Sequence, residues 1–308
     1  MCKKLFLFYI LLSMVTPPIF SQVPNVGAAK SATLKILSWN IYMLPYISLF
    51  NQNDERAKTI AARLNESDYQ IVVFQEAFSL KCRRLLSKRL AASFPYQYGP
   101  ANKNHLPLRT NSGLWVVSKI PLRMLGQMRF STCTGYDRVA RKGAVLFEGN
   151  FNDVKFQLLT THLQANNLKI VKKQCSEIRE HLLNPYCRND VPQLICGDFN
   201  IDRNDEQAYQ QMLKTLDAKN GEISGNLKVT FDKENNNLAS KAKGKSQLID
   251  YVLVRNDELV HNIDRRIHAF LAKIGKRESN LSDHYAMEFD VDFTNPHNLD
   301  PLQEPSDR

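Results

Sequence analysis

Short apolar runs alternate with amphipathic stretches along most of this chain, and the period of each predicts its element. Leu34, Ile36 and Leu37 lead into Trp39 and Ile41 and read as a buried strand. Ala57, Ile60, Ala61 and Leu64 then recur at helical spacing, with charged residues on the other face. Ile71, Val72, Val73 and Phe74 form a second buried run, followed by a helix rich in Arg and Lys from about Leu80 to Ala92. The middle of the chain is strand-like at 114–118, 122–130, 143–149 and 154–161, separated by Gly, Asn and Pro. Val171, Cys175, Ile178 and Leu182 share one helical stripe, which Pro185 closes. A strand at 191–196, a helix near 205–217 and strands near 228–231, 249–254 and 285–292 complete the pattern. The loop 233–247, built of Lys, Asn, Ser and Gly, offers nothing to pack. There is no internal repeat. Strands and helices mixed without a regular βαβ rhythm predict an α/β fold, with two packed sheets flanked by helices as one domain.

The ends of the chain follow other patterns. Lys3 and Lys4 precede an apolar run from Leu5 to Val15, then Pro17, Pro18 and the small residue Ser21. This reads as a secretory signal over residues 1–21. The other reading is an uncleaved membrane anchor, against which stand Ser13 and the two prolines within a short run. Residues 22–32 are polar and small, a disordered leader, and 294–308 form a polar C-terminal tail. No later stretch approaches about 18 consecutive apolar residues, so the mature protein is expected to be soluble.

Composition narrows the class. Of 308 residues, 43% are hydrophobic and 23% charged, with 12 Gly and 13 Pro, which excludes a collagen-like, low-complexity or mostly disordered chain. The net charge of +10 becomes +8 once Lys3 and Lys4 leave with the signal. A basic secreted protein favours anionic partners: nucleic acid, phosphorylated ligands or acidic membranes. The five cysteines that remain, Cys82, Cys133, Cys175, Cys187 and Cys196, allow at most two bridges. Cys196, in an apolar strand, is the expected buried free thiol, and none of the five shows paired zinc-ligand spacing.

The chemistry gathers at strand ends. Polar clusters close the apolar runs at Ser38-Trp39-Asn40, Gln75-Glu76, Thr161-His162-Leu163-Gln164, Gly197-Asp198-Phe199-Asn200, Ile249-Asp250-Tyr251 and Ser282-Asp283-His284. Buried charges cost free energy unless paired, so so many charged and polar strand ends are hard to explain by folding alone. Asn and carboxylate oxygens are hard ligands suited to Mg²⁺. Histidines among carboxylates can act as general base and phosphate-contacting acid near neutral pH. Together these types fit metal-assisted attack of water on a phosphodiester. The chain has no Gly-rich phosphate loop and no Gly-x-Ser-x-Gly elbow, which disfavours a kinase, an NTPase or an ordinary ester hydrolase.

In this order, with Asn111-Ser112-Gly113 between the second and third, the clusters resemble the endonuclease/exonuclease/phosphatase superfamily, the DNase I-like fold, over residues 33–293. Within it, Asn40-Ile41-Tyr42-Met43-Leu44-Pro45, Phe74-Gln75-Glu76-Ala77-Phe78, Thr161-His162-Leu163-Gln164-Ala165, Thr230-Phe231-Asp232 and Ser282-Asp283-His284-Tyr285 are similar to secreted neutral sphingomyelinases. The resemblance implies a four-layer sandwich and a catalytic domain at 33–293. It implies a Mg²⁺ cofactor, with Mn²⁺ or Co²⁺ as substitutes, held by Glu76 with Asn40 beside it and Asp283 in support. It implies His284 as general base, Asp250 as the residue orienting a histidine, Asp198 and Asn200 on the attacking water and the phosphate, and His162 on the phosphate. Asp137 and Lys142 match a family Asp-x4-Lys-Gly pattern, and read equally as a solvated ion pair.

One departure concerns the membrane. Bacterial members of the family carry an aromatic hairpin before Ser-Asp-His, whereas 262–281 here offers Phe270, Leu271 and Ile274 among basic residues and no Trp. Phe270 and Leu271 are the expected membrane contacts if the segment docks, and the alternative is a solvated loop. Asn65 and Asn280 each open a glycosylation sequon, and a glycan on Asn280 would crowd the base. The expected activity is Mg²⁺-dependent hydrolysis of sphingomyelin to ceramide and phosphocholine at membrane surfaces, by a secreted, peripheral enzyme with no obligate protein partner. The alternatives are a secreted DNase I-like nuclease, the one case with nucleic acid as partner, and a catalytically silent membrane-binding toxin component.

Overall fold

The computed structural model describes residues 33–44, 52–103 and 111–294. The expected signal, leader, Pro45 and all but the first residue of the tail lie outside them. In chain order the elements are β1 (Leu34–Asn40), α1 (Asn53–Asn65), β2 (Ile71–Gln75), α2 (Leu80–Leu90), β3 (Tyr96–Tyr98), β4 (Trp115–Ser118) and β5 (Leu122–Arg129). They continue with β6 (Gly143–Phe151), β7 (Val154–His162), α3 (Leu168–Ile178), β8 (Gln193–Asp198), α4 (Glu206–Leu216) and β9 (Asp250–Arg255). The last four are β10 (Val260–His268), β11 (Leu271–Ile274), β12 (Arg277–Asn280) and β13 (Ala286–Phe293).

One sheet has the order β10-β13-β1-β2-β4-β3 and the other β5-β6-β7-β8-β9, while β11 and β12 form a separate hairpin. Each sheet is mixed, because β1 runs parallel to β2 and β7 parallel to β8 while the other pairs are antiparallel. Leu34, Ile36, Ile71 and Val73 of the first sheet share a core with Leu146, Leu158, Leu194 and Cys196 of the second, which α3 and α4 join through Val171, Cys175, Met212 and Leu216. The opposite face of the first sheet, Leu37, Trp39, Val72 and Phe74, packs with Ile60 and Leu64 of α1 and Leu86 of α2. This is the expected architecture of two packed sheets flanked by helices.

Strand phase then positions the polar residues. Side chains alternate across a strand, so Leu34 and Ile36 are followed on the same face by Ser38 and Asn40, and Ile71 and Val73 by Gln75. In the second sheet Leu194 and Cys196 are followed by Asp198, and Leu158 and Thr160 by His162. The face that forms the core thus turns polar at its last positions, at one end of the sandwich.

Several expectations are corrected. Residues 228–231 form no strand: only Phe231 bridges, to Gln247 and to His284. A three-residue strand at 96–98 and a strand at 260–268 occur where the sequence pattern predicts no element, and 271–280 forms a hairpin, not the solvated loop that is one of the two readings of 262–281. The stretch 233–247 does pack, with Asn236 and Ala239 buried. The Asp232 carboxylate organises it by accepting the N–H groups of Glu234 and Asn235 and the Ser246 hydroxyl. All five described cysteines are free, and three of them, Cys82, Cys175 and Cys196, are buried, so Cys196 is one of three buried free thiols. Asn280 is buried and hydrogen-bonded to Asn237, which leaves no room for a glycan in the folded protein.

Gly197 sits between the core and the polar end at φ +144°, and an added Cβ would meet the Thr161 carbonyl oxygen at 2.0 Å. The β7–β8 pairing there brings Thr161 opposite Gly197 and His162 opposite Asp198. Gly197→Ala should therefore destabilise the protein by about 3 kcal/mol or more, or prevent folding. A urea midpoint within error of wild type would contradict this.

Candidate active site

Six strand ends and their following turns converge between the sheets. His162, Asp198 and Asp250 form one cross-strand row, since β7 and β8 pair His162 with Asp198 and β8 and β9 pair Asp198 with Asp250. All three are buried. From the facing sheet the Asn40 amide donates to Asp198 Oδ2 at 3.1 Å. His284, just before β13, meets the row from the side: its Nδ1 is 2.9 Å from Asp250 Oδ2 and its Nε2 3.9 Å from Asp198 Oδ2.

The His284 loop is held by its backbone. Ser282 Oγ donates to the Asn40 carbonyl at 2.6 Å, and the His284 N–H donates back to Ser282 Oγ at 3.2 Å. The Trp39 indole N–H donates to the His284 carbonyl at 2.9 Å. Asp250 is fixed in turn, because its N–H and that of Ile249 both donate to Thr230 Oγ1.

A second group lies beyond His162. Lys142 is 3% exposed and uses its three N–H donors on the Leu163 carbonyl at 2.7 Å, Asp137 at 2.9 Å and His162 Nε2 at 2.8 Å. A lysine ammonium only donates, so beside a charged Lys142 His162 Nε2 is the acceptor; the same nitrogen lies 3.3 Å from Asp198 Oδ2, and Nδ1 is buried with no hydrogen-bond partner among the described residues. Asp137 also accepts the Ala165 N–H at 2.8 Å. The pair is therefore held within the structure, Lys142 buried and Asp137 partly so, and is not a solvated ion pair. Asn200 donates its side chain to the Leu163 carbonyl at 3.0 Å and its N–H to Asp198 Oδ1 at 3.0 Å.

Glu76 follows β2 at φ +54°, a conformation that side chains other than Gly seldom adopt and that clusters at functional positions. Its carbonyl accepts the N–H groups of Met43 and Phe78, which pins the turn. Burial, with Asp283 next to it and Asp198 adding, pushes the Glu76 carboxyl up to about 7, against the pull of His284 and Lys142. Burial likewise raises Asp283, and burial with Asp250 raises Asp198 to about 6. Burial, with the Lys142 and His284 charges, lowers His162 well below its ordinary value. Burial pushes His284 down too, but Asp250, Asp198 and Asp283 outweigh it and hold the ring well above its ordinary value. The site is thus rich in carboxylates that lack compensating charge.

Two donor sets could hold a cation. Ligand atoms of Asp198, Asp250 and His284 lie within 4.8 Å of one another, but Asp250 and His284 are already bonded to each other and Asp198 to Asn40. Glu76 and Asp283, whose charges repel, and the Asn40 side-chain oxygen, which also accepts the Tyr42 N–H at 3.2 Å, offer a second set of hard oxygens suited to a divalent cation.

Of the expected membrane contacts, Phe270 is half-buried and stacked between Trp39, 4.6 Å away, and His268, 4.2 Å away, while Leu271 is exposed. Sequence reasoning missed Arg56. This buried residue of α1 donates to the carbonyls of Ile41, Tyr42 and Leu281, tying the turn after Asn40 to the one before Ser282. Its signal was an arginine on the same helical stripe as Ala57, Ile60 and Leu64.

Residues 37–284 match the model of the Endonuclease/Exonuclease/phosphatase family. The chain is 29% identical over 263 residues to Sphingomyelinase C 2 of Leptospira interrogans serogroup Icterohaemorrhagiae serovar Lai, covering 76% of this chain and 41% of that protein. It is 27% identical over 261 residues to a Sphingomyelinase C of Bacillus cereus, covering 76% of this chain and 78% of that one. A mutant beta toxin from Staphylococcus aureus with bound magnesium ions superposes with a TM-score of 0.73 at 21% identity, over 86% of this chain and 100% of the toxin. Against the Leptospira relative, the chain spans less than half the length.

Proposed function

The chain belongs to the endonuclease/exonuclease/phosphatase family, and from that premise we propose that it is a secreted, Mg²⁺-dependent phosphodiesterase that hydrolyses sphingomyelin to ceramide and phosphocholine. The observation that carries the reading is the His284–Asp250 pair set against Asp198. With Nδ1 bonded to Asp250, His284 presents Nε2 as the basic nitrogen, aimed at the carboxylate that would hold the attacking water. His284 takes the proton from that water. Asp198 and Asn200 orient the water and the phosphate. His162 and Lys142 stabilise the charge that develops on the phosphate oxygens, and Asp137 keeps Lys142 in place. Glu76, Asn40 and Asp283 are the residues that would hold Mg²⁺, which when bound supplies Lewis-acid polarisation of the phosphate. The substrate choice is supported by the relatives named Sphingomyelinase C. No helix among the described residues is long and apolar enough to cross a membrane, and we assign the contact with lipid as peripheral.

The test is release of phosphocholine from sphingomyelin vesicles, with and without chelator, run beside plasmid nicking. Release that stops in EDTA is expected; nicking without release would replace this reading with a nuclease.

The histidine sets the pH dependence. A general base must be neutral, so activity falls as pH drops through the His284 pKa. The three carboxylates raise that pKa, which moves the acid limb to higher pH, and a bound cation moves it back down. Asp250→Asn removes the strongest raising partner, so the limb should move to lower pH in the variant. A limb at the same pH in both proteins would exclude the pair as its origin.

A further inference from the structure

Tyr136 is 97% exposed, the most exposed large apolar side chain among the described residues, and it neighbours the site without belonging to it. It lies in the short 3₁₀ turn Gly135–Arg138, next to Asp137, whose carboxylate is engaged with Lys142 and the Ala165 N–H. That turn is stitched to the segment joining β7 to α3. Thr134 N–H donates to Gln164 Oε1 at 2.8 Å, Gln174 donates to the Thr132 carbonyl at 2.9 Å, and Lys173 donates to the Thr132 hydroxyl at 3.2 Å. Leu168, at the start of α3, is 47% exposed on this second strip. The two strips therefore make one rim beside Lys142 and His162.

The charge of the rim is one-sided. Residues 129–141 and 163–173 carry Arg129, Arg138, Arg141, Lys169, Lys172 and Lys173; against them stand Asp137, neutralised by Lys142, and Glu177, which accepts from Ser131 and lies 4.0 Å from Lys173, so the balance stays basic. A freely exposed tyrosine and leucine have no folding reason to sit there, since neither contributes to the core. An aromatic ring with a polar tip and an aliphatic side chain, ringed by long basic side chains, is the composition that settles at a bilayer interface. The apolar groups enter the headgroup boundary and the basic heads stay among anionic headgroups.

We propose that the rim formed by Tyr136, Leu168 and the surrounding Arg and Lys residues docks the protein on a bilayer containing anionic lipid, and so turns the site toward its substrate. This rests on the reading of the substrate as a membrane lipid and adds a docking surface separate from the hairpin at 271–280. Nucleic acid is the other polyanion a basic rim could meet. The exposed tyrosine and leucine favour the bilayer, because phosphate tracking alone needs only the charges.

The experiment uses the full chain and three probes: vesicles of sphingomyelin and phosphatidylcholine with and without phosphatidylserine, a water-soluble chromogenic phosphocholine ester, and a short DNA duplex. Co-sedimentation should show tighter binding when phosphatidylserine is present. Tyr136→Ser should weaken vesicle binding about fivefold, and Lys169→Glu with Lys172→Glu should abolish the gain from phosphatidylserine. Hydrolysis of the soluble ester should stay within twofold of wild type in both variants. Tyr136→Trp should show a blue-shifted emission on vesicle addition. The proposal is overturned if Tyr136→Ser binds vesicles as wild type does, if Leu271→Ser alone removes binding, or if the duplex binds more tightly than anionic vesicles. Vesicle docking without phosphocholine release would sink the substrate reading while leaving the docking surface in place.

Discussion

His284→Ala is expected to lower turnover of sphingomyelin by roughly a hundred- to ten-thousand-fold, the usual contribution of a general base. The ring is the one basic group bonded to Asp250 with its second nitrogen 3.9 Å from Asp198, so no neighbour can take over its proton. His162 cannot, because its Nε2 is occupied by the Lys142 ammonium and its basicity is depressed. The loop itself should persist. Its links to Trp39 and through Ser282 to Asn40 are made by the His284 backbone and the Ser282 hydroxyl, none of which the substitution touches. Loss of the ring leaves Asp250 without its partner, which costs about 1–3 kcal/mol of stability, so circular dichroism and a melt accompany the assay. Vesicle binding should survive. Turnover within tenfold of wild type would assign the base elsewhere.

Glu76→Gln should reduce activity by at least about a hundredfold and at the same time stabilise the metal-free protein. A carboxyl whose pKa is raised on folding favours the folded state at low pH and opposes it once pH exceeds the unfolded value. For Glu76, raised to about 7 by burial and Asp283, that opposition is complete above neutrality. Glutamine keeps the shape and removes the charge, so at pH 8 in EDTA the variant should melt a few degrees above wild type. Added Mg²⁺ should raise the melting temperature of wild type and leave the variant unmoved. Equal melting in EDTA together with an equal Mg²⁺ response would remove Glu76 from the cation site.

The elements that were legible in the sequence are those whose period was long and apolar: β1, β2, β7, β8 and the stripe of α3. The strand ends were legible too, because a polar residue closing an apolar alternation stands out, as Asn40 does after Ile36 and Asp198 after Cys196. What failed to show has a physical reason. The 228–231 run is apolar only at Val229 and Phe231, and its backbone is used by single bridges to Gln247 and His284 instead of a ladder. The hairpin β11–β12 is charged on both faces and gains its place from Phe270 stacking on Trp39, a contact distant in sequence. The stretch 233–247 folds around one carboxylate, Asp232, and composition alone cannot say where a carboxylate finds its donors. Arg56 was hidden because a helical stripe is read by its apolar members, whereas this one carries the guanidinium that joins two turns of the site.

The site has one half on each sheet, so its width is a matter of core volume. Cys196 and Ser38 lie one step inside Asp198 and Asn40, and Gln75 donates to Ser38 Oγ at 3.2 Å. Small residues at these two positions act as the shim that lets the sheets approach closely enough for Asn40 to reach Asp198. A bulkier pair would open the jaws of the cleft without altering any group that performs chemistry. Aperture could then be adjusted from behind, by substitutions no substrate touches, and selection on substrate size would be expected to leave its mark on the interior as well as on the walls.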